Sequence, residues 1–200
     1  IGGHGPTYDA EHVLSTTIDA LCIGEGEAAL LNYIESGFKG NNNIVERTEF
    51  GNGGNGCGST NYYPFIDLDA MPVPDRTLVY RQDTVLREQP TKQFMAGRGC
   101  PYLCTYCHNH AFNRKFKESG AIIRYKSVDY LIEEIRQVKK KYRLHTVAFQ
   151  DDVFILRKEW LMEFCKRYPR EIGIPFTCNV KAEIIVREEI VEALKDAGCV

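Results

Sequence analysis

Two hundred residues allow one or two domains, and a content of 44 % hydrophobic and 26 % charged residues is that of globular protein rather than of a disordered or fibrous chain. A net charge of −2 gives no drive toward nucleic acid or an anionic membrane surface, and no apolar run is long enough to span a bilayer. The chain begins at Ile1 without a methionine or a signal peptide. It stops after Ala197-Gly198-Cys199, which reads as a helix end entering a strand, so both ends are expected to be cuts in a longer protein.

The apolar run 19–23 predicts a strand that ends in the turn Gly24-Glu25-Gly26-Glu27. Leu30, Leu31 and Ile34 then recur at helical spacing, and Gly37 stops the helix. Strand, glycine turn and helix form the unit of a doubly wound parallel sheet, whose ligands gather at the carboxyl ends of the strands. Glu25 and Glu27 suit the positive end of a helix dipole, and His4 and His12 read as surface or turn residues. By themselves Gly2 and Gly3 are an ordinary strand-end turn.

Residues 40–90 read as a linker. Asn41-Asn42-Asn43 and the glycine–asparagine run at 51–56 are loop punctuation, and two prolines at 72 and 74 oppose regular pairing. From about residue 91, β and α patterns alternate. Ser127 is placed to cap a helix carrying Val128, Leu131, Ile132, Ile135 and Val138 on one face, with Lys139, Lys140 and Lys141 at its C-terminal end. A strand at 146–150, a helix at 157–168, a strand at 175–180 and a helix at 188–197 stopped by Gly198 follow. Strands regularly followed by helices predict a parallel sheet with right-handed crossovers.

Between the linker and these elements, Cys100, Cys104 and Cys107 stand at C-x3-C-x2-C spacing. Three soft thiolates on one loop suit an iron–sulfur cluster, and three ligands leave one iron of a four-iron cube open. A zinc site completed by His108 or His110 is the alternative. The other five cysteines show no disulfide framework. Cys22, Cys165 and Cys178 lie in apolar stretches and read as core; Cys57, in the glycine-rich loop, is an extra ligand or an incidental thiol. This usage suits a reducing, cytoplasmic setting.

The cysteine spacing, with Tyr106 just before the last cysteine, resembles the C-x3-C-x-aromatic-C pattern of the radical S-adenosylmethionine (SAM) superfamily. The run Gln93–Gly99 resembles that family's first barrel strand and its glycine-rich approach to the cluster loop. The resemblance implies a [4Fe-4S] cluster on Cys100, Cys104 and Cys107. It also implies SAM bound through its amino and carboxylate groups at the open iron, and reductive cleavage to a 5'-deoxyadenosyl radical. Residues 91–200 would be the N-terminal half of a partial (βα)6 barrel.

Gly2-Gly3-His4-Gly5-Pro6-Thr7, followed by 19–27, resembles the last part of a Rossmann-like cobalamin-binding domain, here residues 1–39. In that family Gly2 and Gly3 would line the channel for the cobalamin nucleotide tail. Residues 40–90 likewise resemble the connector between the two domains. Asp151-Asp152-Val153-Phe154 resembles the D-D-x-F string at the end of the second barrel strand, where Asp151 or Asp152 meets the SAM ammonium or caps the following segment. Asn179 and Lys181 are edge candidates for SAM or substrate, or plain polar surface residues; Tyr106 packs beside adenine or within its own loop. Arg98 and Arg124 would offset negative charge near the cluster, and His108 and His110 would face the active site.

The expected activity is that of a cobalamin-dependent radical SAM methyltransferase acting on a small molecule, with an external electron donor such as flavodoxin or ferredoxin. The alternatives are a radical SAM cyclase, a methylthiotransferase, or a non-catalytic cluster or cobalamin sensor.

Overall fold

The structure, a computed structural model, describes residues 1–47 and 61–200. Its first elements are helices α1 (His4–Tyr8) and α2 (Ala10–Leu14), strand β1 (Ala20–Cys22), helix α3 (Glu27–Glu35) and strand β2 (Ile44–Glu46). A 3-10 turn (Leu68–Ala70), helices α4 (Thr77–Tyr80) and α5 (Thr84–Glu88), strands β3 (Thr91–Phe94) and β4 (Gly97–Arg98), helix α6 (Asn109–Lys115) and strand β5 (Arg124–Tyr125) follow. The last are helix α7 (Val128–Lys141), strand β6 (Thr146–Phe149), helix α8 (Lys158–Glu171), strand β7 (Phe176–Cys178) and helices α9 (Ala182–Ile185) and α10 (Glu188–Asp196). None of the described helices is long and apolar enough to cross a membrane. The chain divides into two compact units, 1–66 with 101–122, and 67–100 with 123–200.

In the first unit, β1 lies between two neighbours. Ile1 donates to the Ala20 carbonyl and accepts from Cys22 N–H, the slanted pattern of a parallel neighbour. On the other side β2 pairs antiparallel, Leu21 opposite Val45. This corrects the expectation of a purely parallel unit. The return after α3 brings the chain back to the end where β1 finishes: the Asn41 side chain accepts from Asn43 and Ile44 N–H, and Ile23 N–H meets the Asn43 carbonyl. Asn43, expected as plain loop, is buried and bonds both Ile23 O and Tyr63 N–H through its side chain.

Ala10, Leu14, Leu21, Ile23, Val45, Tyr62 and Phe116 form this unit's core. Gly24 has φ +80°, and a Cβ there would sit 2.6 Å from the Phe116 ring. Helix α3 forms as the spacing predicts, but its spaced apolar residues are not its buried ones. Ala29 is fully buried, whereas Leu30, Leu31 and Ile34 are each more than half exposed.

The second unit is built on a parallel sheet in the order β3-β6-β7. Phe94 pairs with Phe149 and Phe149 with Cys178, so one face carries Phe94, Phe149, Phe176 and Cys178. On this face Phe149, Phe154, Phe164, Tyr168 and Phe176 interlock, with ring centroids 4.6–6.2 Å apart among the pairs formed. All five are at most 2 % exposed. Gln93, Ala148 and Thr177 stand on the opposite face, where Gln93 and Thr177 are exposed.

Ser127 caps α7 by accepting from Tyr130 N–H at 3.1 Å, as its side chain predicts. Helix α8 runs past the expected end at Tyr168, through Pro169. Proline removes one backbone donor without forcing termination here, and the stop comes at Gly173, whose φ of +63° continues from the Tyr168 carbonyl bonds. At α10, Cys199 N–H reaches Leu194 O and Gly198 N–H reaches Lys195 O, with Gly198 at φ +94°, a complete Schellman stop. Cys199 then bridges Phe176 in parallel, so the chain enters the next extended segment beside β7.

The described part of the stretch expected as linker carries regular elements, and its glycine–asparagine run at 51–56 lies outside the described residues. Within 61–90 it carries the 3-10 turn, α4 and α5. The Lys92 side chain, buried on β3, donates to the carbonyls of Leu86, Arg87 and Gln89 and so closes the C-terminal end of α5.

Candidate active site at the sheet edge and the cysteine loop

The carboxyl ends of β3, β6 and β7 are tied together by one residue. Asp151 follows β6 and is 4 % exposed. Its two carboxylate oxygens accept from Ala96 N–H at 3.0 Å and Gly97 N–H at 2.6 Å, and its carbonyl accepts from the Asn179 side-chain amide at 3.0 Å. Burial pushes the Asp151 carboxyl above its ordinary range, and the two backbone donors oppose that shift. Asp151 therefore caps the end of β3, with both oxygens engaged, while Asp152 is exposed at the same edge.

The segment after Asp151 is held from two sides. Phe154 N–H donates to Asn179 O. The Tyr125 hydroxyl lies within hydrogen-bond distance of the Val153 and Phe154 carbonyls and accepts from Leu156 N–H. Burial raises the Tyr125 phenol to about 12, so it stays a donor at neutral pH. Tyr125 carried no signal in the sequence. Lys181 pairs with Glu183 at 2.6 Å at the start of α9.

A cavity of about 340 Å³ opens beside β3, lined among others by Arg76, Gln93, Met95, Glu134 and Gln150. Glu134, 2 % exposed, accepts from Lys126 Nζ at 2.6 Å and lies 3.4 Å from Arg76 Nη2. Arg76 also donates to the Gln93 carbonyl at 2.7 Å and stacks over Phe94. Neither Arg76 nor Glu134 stood out in the sequence, because ion pairs between residues 58 positions apart leave no local pattern.

Cys100 belongs to the second unit and is buried; Cys104 and Cys107 belong to the first and are half-buried. Cys107 N–H donates to the Cys104 carbonyl at 3.0 Å, and Asn109 N–H points at Cys107 Sγ at 3.5 Å, a donor suited to a thiolate. Tyr106 is 92 % exposed, so the reading of it as loop core is set aside. In the first unit the His4 and His108 rings meet at 3.9 Å between centroids, with Tyr8 at 6.1 Å from His108. Burial, with Cys107 as the lesser cause, raises the Tyr8 phenol. His4, expected as a surface or turn residue, is thus exposed yet packed against the residue after Cys107.

The chemistry of the donor set, three thiolates on one loop, suits an iron–sulfur cluster. A four-iron cube takes each thiolate at a separate corner, and three soft sulfurs on one loop supply that. For a nucleotide tail, Gly3 has φ +107° and open space where a Cβ would stand, whereas Gly2 lies in ordinary contact with Cys22. Cys57 lies outside the described residues.

Comparison with known proteins bears on this arrangement. A family model described as the Radical SAM superfamily matches residues 95–200. The whole chain aligns at 27 % identity with 43 % of an uncharacterized methyltransferase from Pyrococcus horikoshii. It aligns at 23 % identity with 37 % of an anaerobic magnesium-protoporphyrin IX monomethyl ester cyclase from Rubrivivax gelatinosus. The solved structure of OxsB, a cobalamin-dependent S-adenosylmethionine radical enzyme, superposes with a TM-score of 0.69 at 17 % identity, over 98 % of this chain and 28 % of that one. The chain thus spans less than half the length of the relatives it matches.

Proposed function

The chain belongs to the radical SAM superfamily, and from that premise we propose that it is part of a cobalamin-dependent radical SAM methyltransferase. The observation that carries the reading is the C-x3-C-x-Tyr-C loop, which follows the first strand of a parallel sheet whose carboxyl edge is knotted by Asp151. Cys100, Cys104 and Cys107 would hold the [4Fe-4S] cluster, which supplies the electron that breaks a C–S bond of SAM. Asp151 would keep the backbone at 96–97 in place, Asp152 would meet the SAM ammonium, and Asn179 would join the ends of β6 and β7. Tyr106, exposed beside Cys107, would cover the adenine. Gly2 and Gly3 would admit the cobalamin tail.

The same reading divides the chain into the end of a cobalamin-binding domain at 1–39, a connector at 40–90 and the barrel half from 91. It includes a small-molecule substrate, an external flavodoxin or ferredoxin and a cytoplasmic location. The named methyltransferase relative and the cobalamin-dependent structural neighbour support methyl transfer. The cyclase relatives favour a second reading, radical ring closure.

One assay separates the two. The full-length protein is reconstituted anaerobically with iron, sulfide and cobalamin and given SAM and reductant. 5'-Deoxyadenosine together with S-adenosylhomocysteine is the outcome expected for methyl transfer. 5'-Deoxyadenosine alone would favour the cyclase reading, and neither product, with cluster and cobalamin bound, would overturn both.

A further inference from the structure

Two cysteines outside the cluster loop face each other on the helix-covered side of the sheet. Cys178 ends β7. Cys199 stands in the extended segment after α10, which is held beside β7 by Phe176 N–H to Gly198 O at 3.0 Å and Val200 N–H to Phe176 O at 2.9 Å. Their Sγ atoms are 4.0 Å apart, and both residues are half-buried.

The pair is asymmetric. Either sulfur can donate across the 4.0 Å contact; this contact with Cys178 pulls Cys199 below the ordinary thiol range, and the Val200 N–H adds to that against burial. The same bond, with burial second, raises Cys178. Cys165 on α8 is buried, and its thiol is pushed up to about 12, first by burial and then by Cys199. It is the inert member of the group.

We propose that Cys178 and Cys199 form a redox-active dithiol that exchanges with small disulfides of the glutathione type. The Cys199 thiolate attacks one sulfur of the small disulfide, forming a mixed disulfide and expelling one small thiolate, which takes up the Cys178 proton. Cys178 then attacks the Cys199 sulfur and expels the second small thiolate, which is protonated from solvent. Two protein thiols are oxidised to one disulfide, and one small disulfide is reduced to two thiols. The sulfurs must close from 4.0 Å to about 2.05 Å, and because Cys199 is in register with Phe176, two residues before Cys178, the closure takes a shift of the extended segment after α10 as well as side-chain rotation. The bond would form one residue before Asn179, at the edge that Asp151 organises.

The test uses the full-length reconstituted protein, incubated anaerobically with glutathione disulfide, then quenched in acid, alkylated and mapped by mass spectrometry without reduction. The expected result is a crosslinked peptide pair containing Cys178 and Cys199, released by dithiothreitol. Cys178→Ser should stop at glutathione on Cys199, and Cys199→Ser should slow modification of Cys178 by about tenfold or more. Wild-type protein in which both cysteines are fully alkylated, with no crosslink, would overturn the proposal without recourse to the variants. So would Cys178 reacting at the wild-type rate in Cys199→Ser.

Discussion

Both oxygens of the Asp151 carboxylate accept backbone hydrogen bonds, and this limits what a substitution there can preserve. Asp151→Asn keeps the shape but replaces one acceptor by an NH2 group facing a buried N–H. A loss of about 1–3 kcal/mol follows from leaving such a donor unsatisfied, read by chemical denaturation. Iron and sulfide per chain should fall with it, since Gly97 leads directly to Cys100. Asp151→Glu should not restore stability, because a longer arm cannot meet two adjacent N–H groups in the same place. The Glu134 carboxylate presents a different case. Its removal in Glu134→Ala leaves Lys126 and Arg76 facing each other without their shared anion, and should cost about 3–5 kcal/mol by the same measurement. A result within experimental error of wild type would show that water reaches this pair freely.

At the scale of elements, the approach to the three-cysteine loop depends on the short β4–β5 pairing, Gly97 opposite Tyr125. A Cβ on Gly97 would stand 2.6 Å from the Arg124 carbonyl, a backbone atom that cannot rotate away. Gly97→Ala should therefore push β4 from β5, cost about 1–3 kcal/mol and lower cluster retention after gel filtration. Retention equal to wild type would mean that the loop is positioned from elsewhere. The elements with strong local signals were legible in advance. Ser127 began α7 because its hydroxyl can accept from Tyr130 N–H, and Gly198 ended α10 because it adopts φ +94°. The burial of α3 was not legible. Apolar residues at helical spacing mark a face, but only the rest of the fold determines whether anything covers it, and Leu30, Leu31 and Ile34 are exposed here.

At the scale of the whole molecule, the prediction concerns the three-cysteine loop. In the full-length protein, Cys100→Ala, Cys104→Ala and Cys107→Ala should each abolish cluster absorbance and SAM cleavage. Cleavage retained in all three would refute the ligand assignment. Removing iron with a chelator from the wild-type protein should abolish cleavage in the same way, with activity returning on reconstitution.

The sequence by itself determined the spacing of the three-cysteine loop, the alternation of strand and helix from 91 onward, and the family. These rest on residue type at short spacing, which chemistry and local geometry read directly. Tertiary structure alone decided that β2 runs antiparallel to β1, that Asp151 turns its carboxylate to the backbone, that Arg76 and Lys126 share Glu134, and that Cys178 meets Cys199. Each of these joins residues 21 to 58 positions apart, except for the Lys126–Glu134 ion pair, whose residues are 8 positions apart. In every case the deciding factor is where packing leaves a donor without water, and that is settled by the assembled layers and not by any local run of residues.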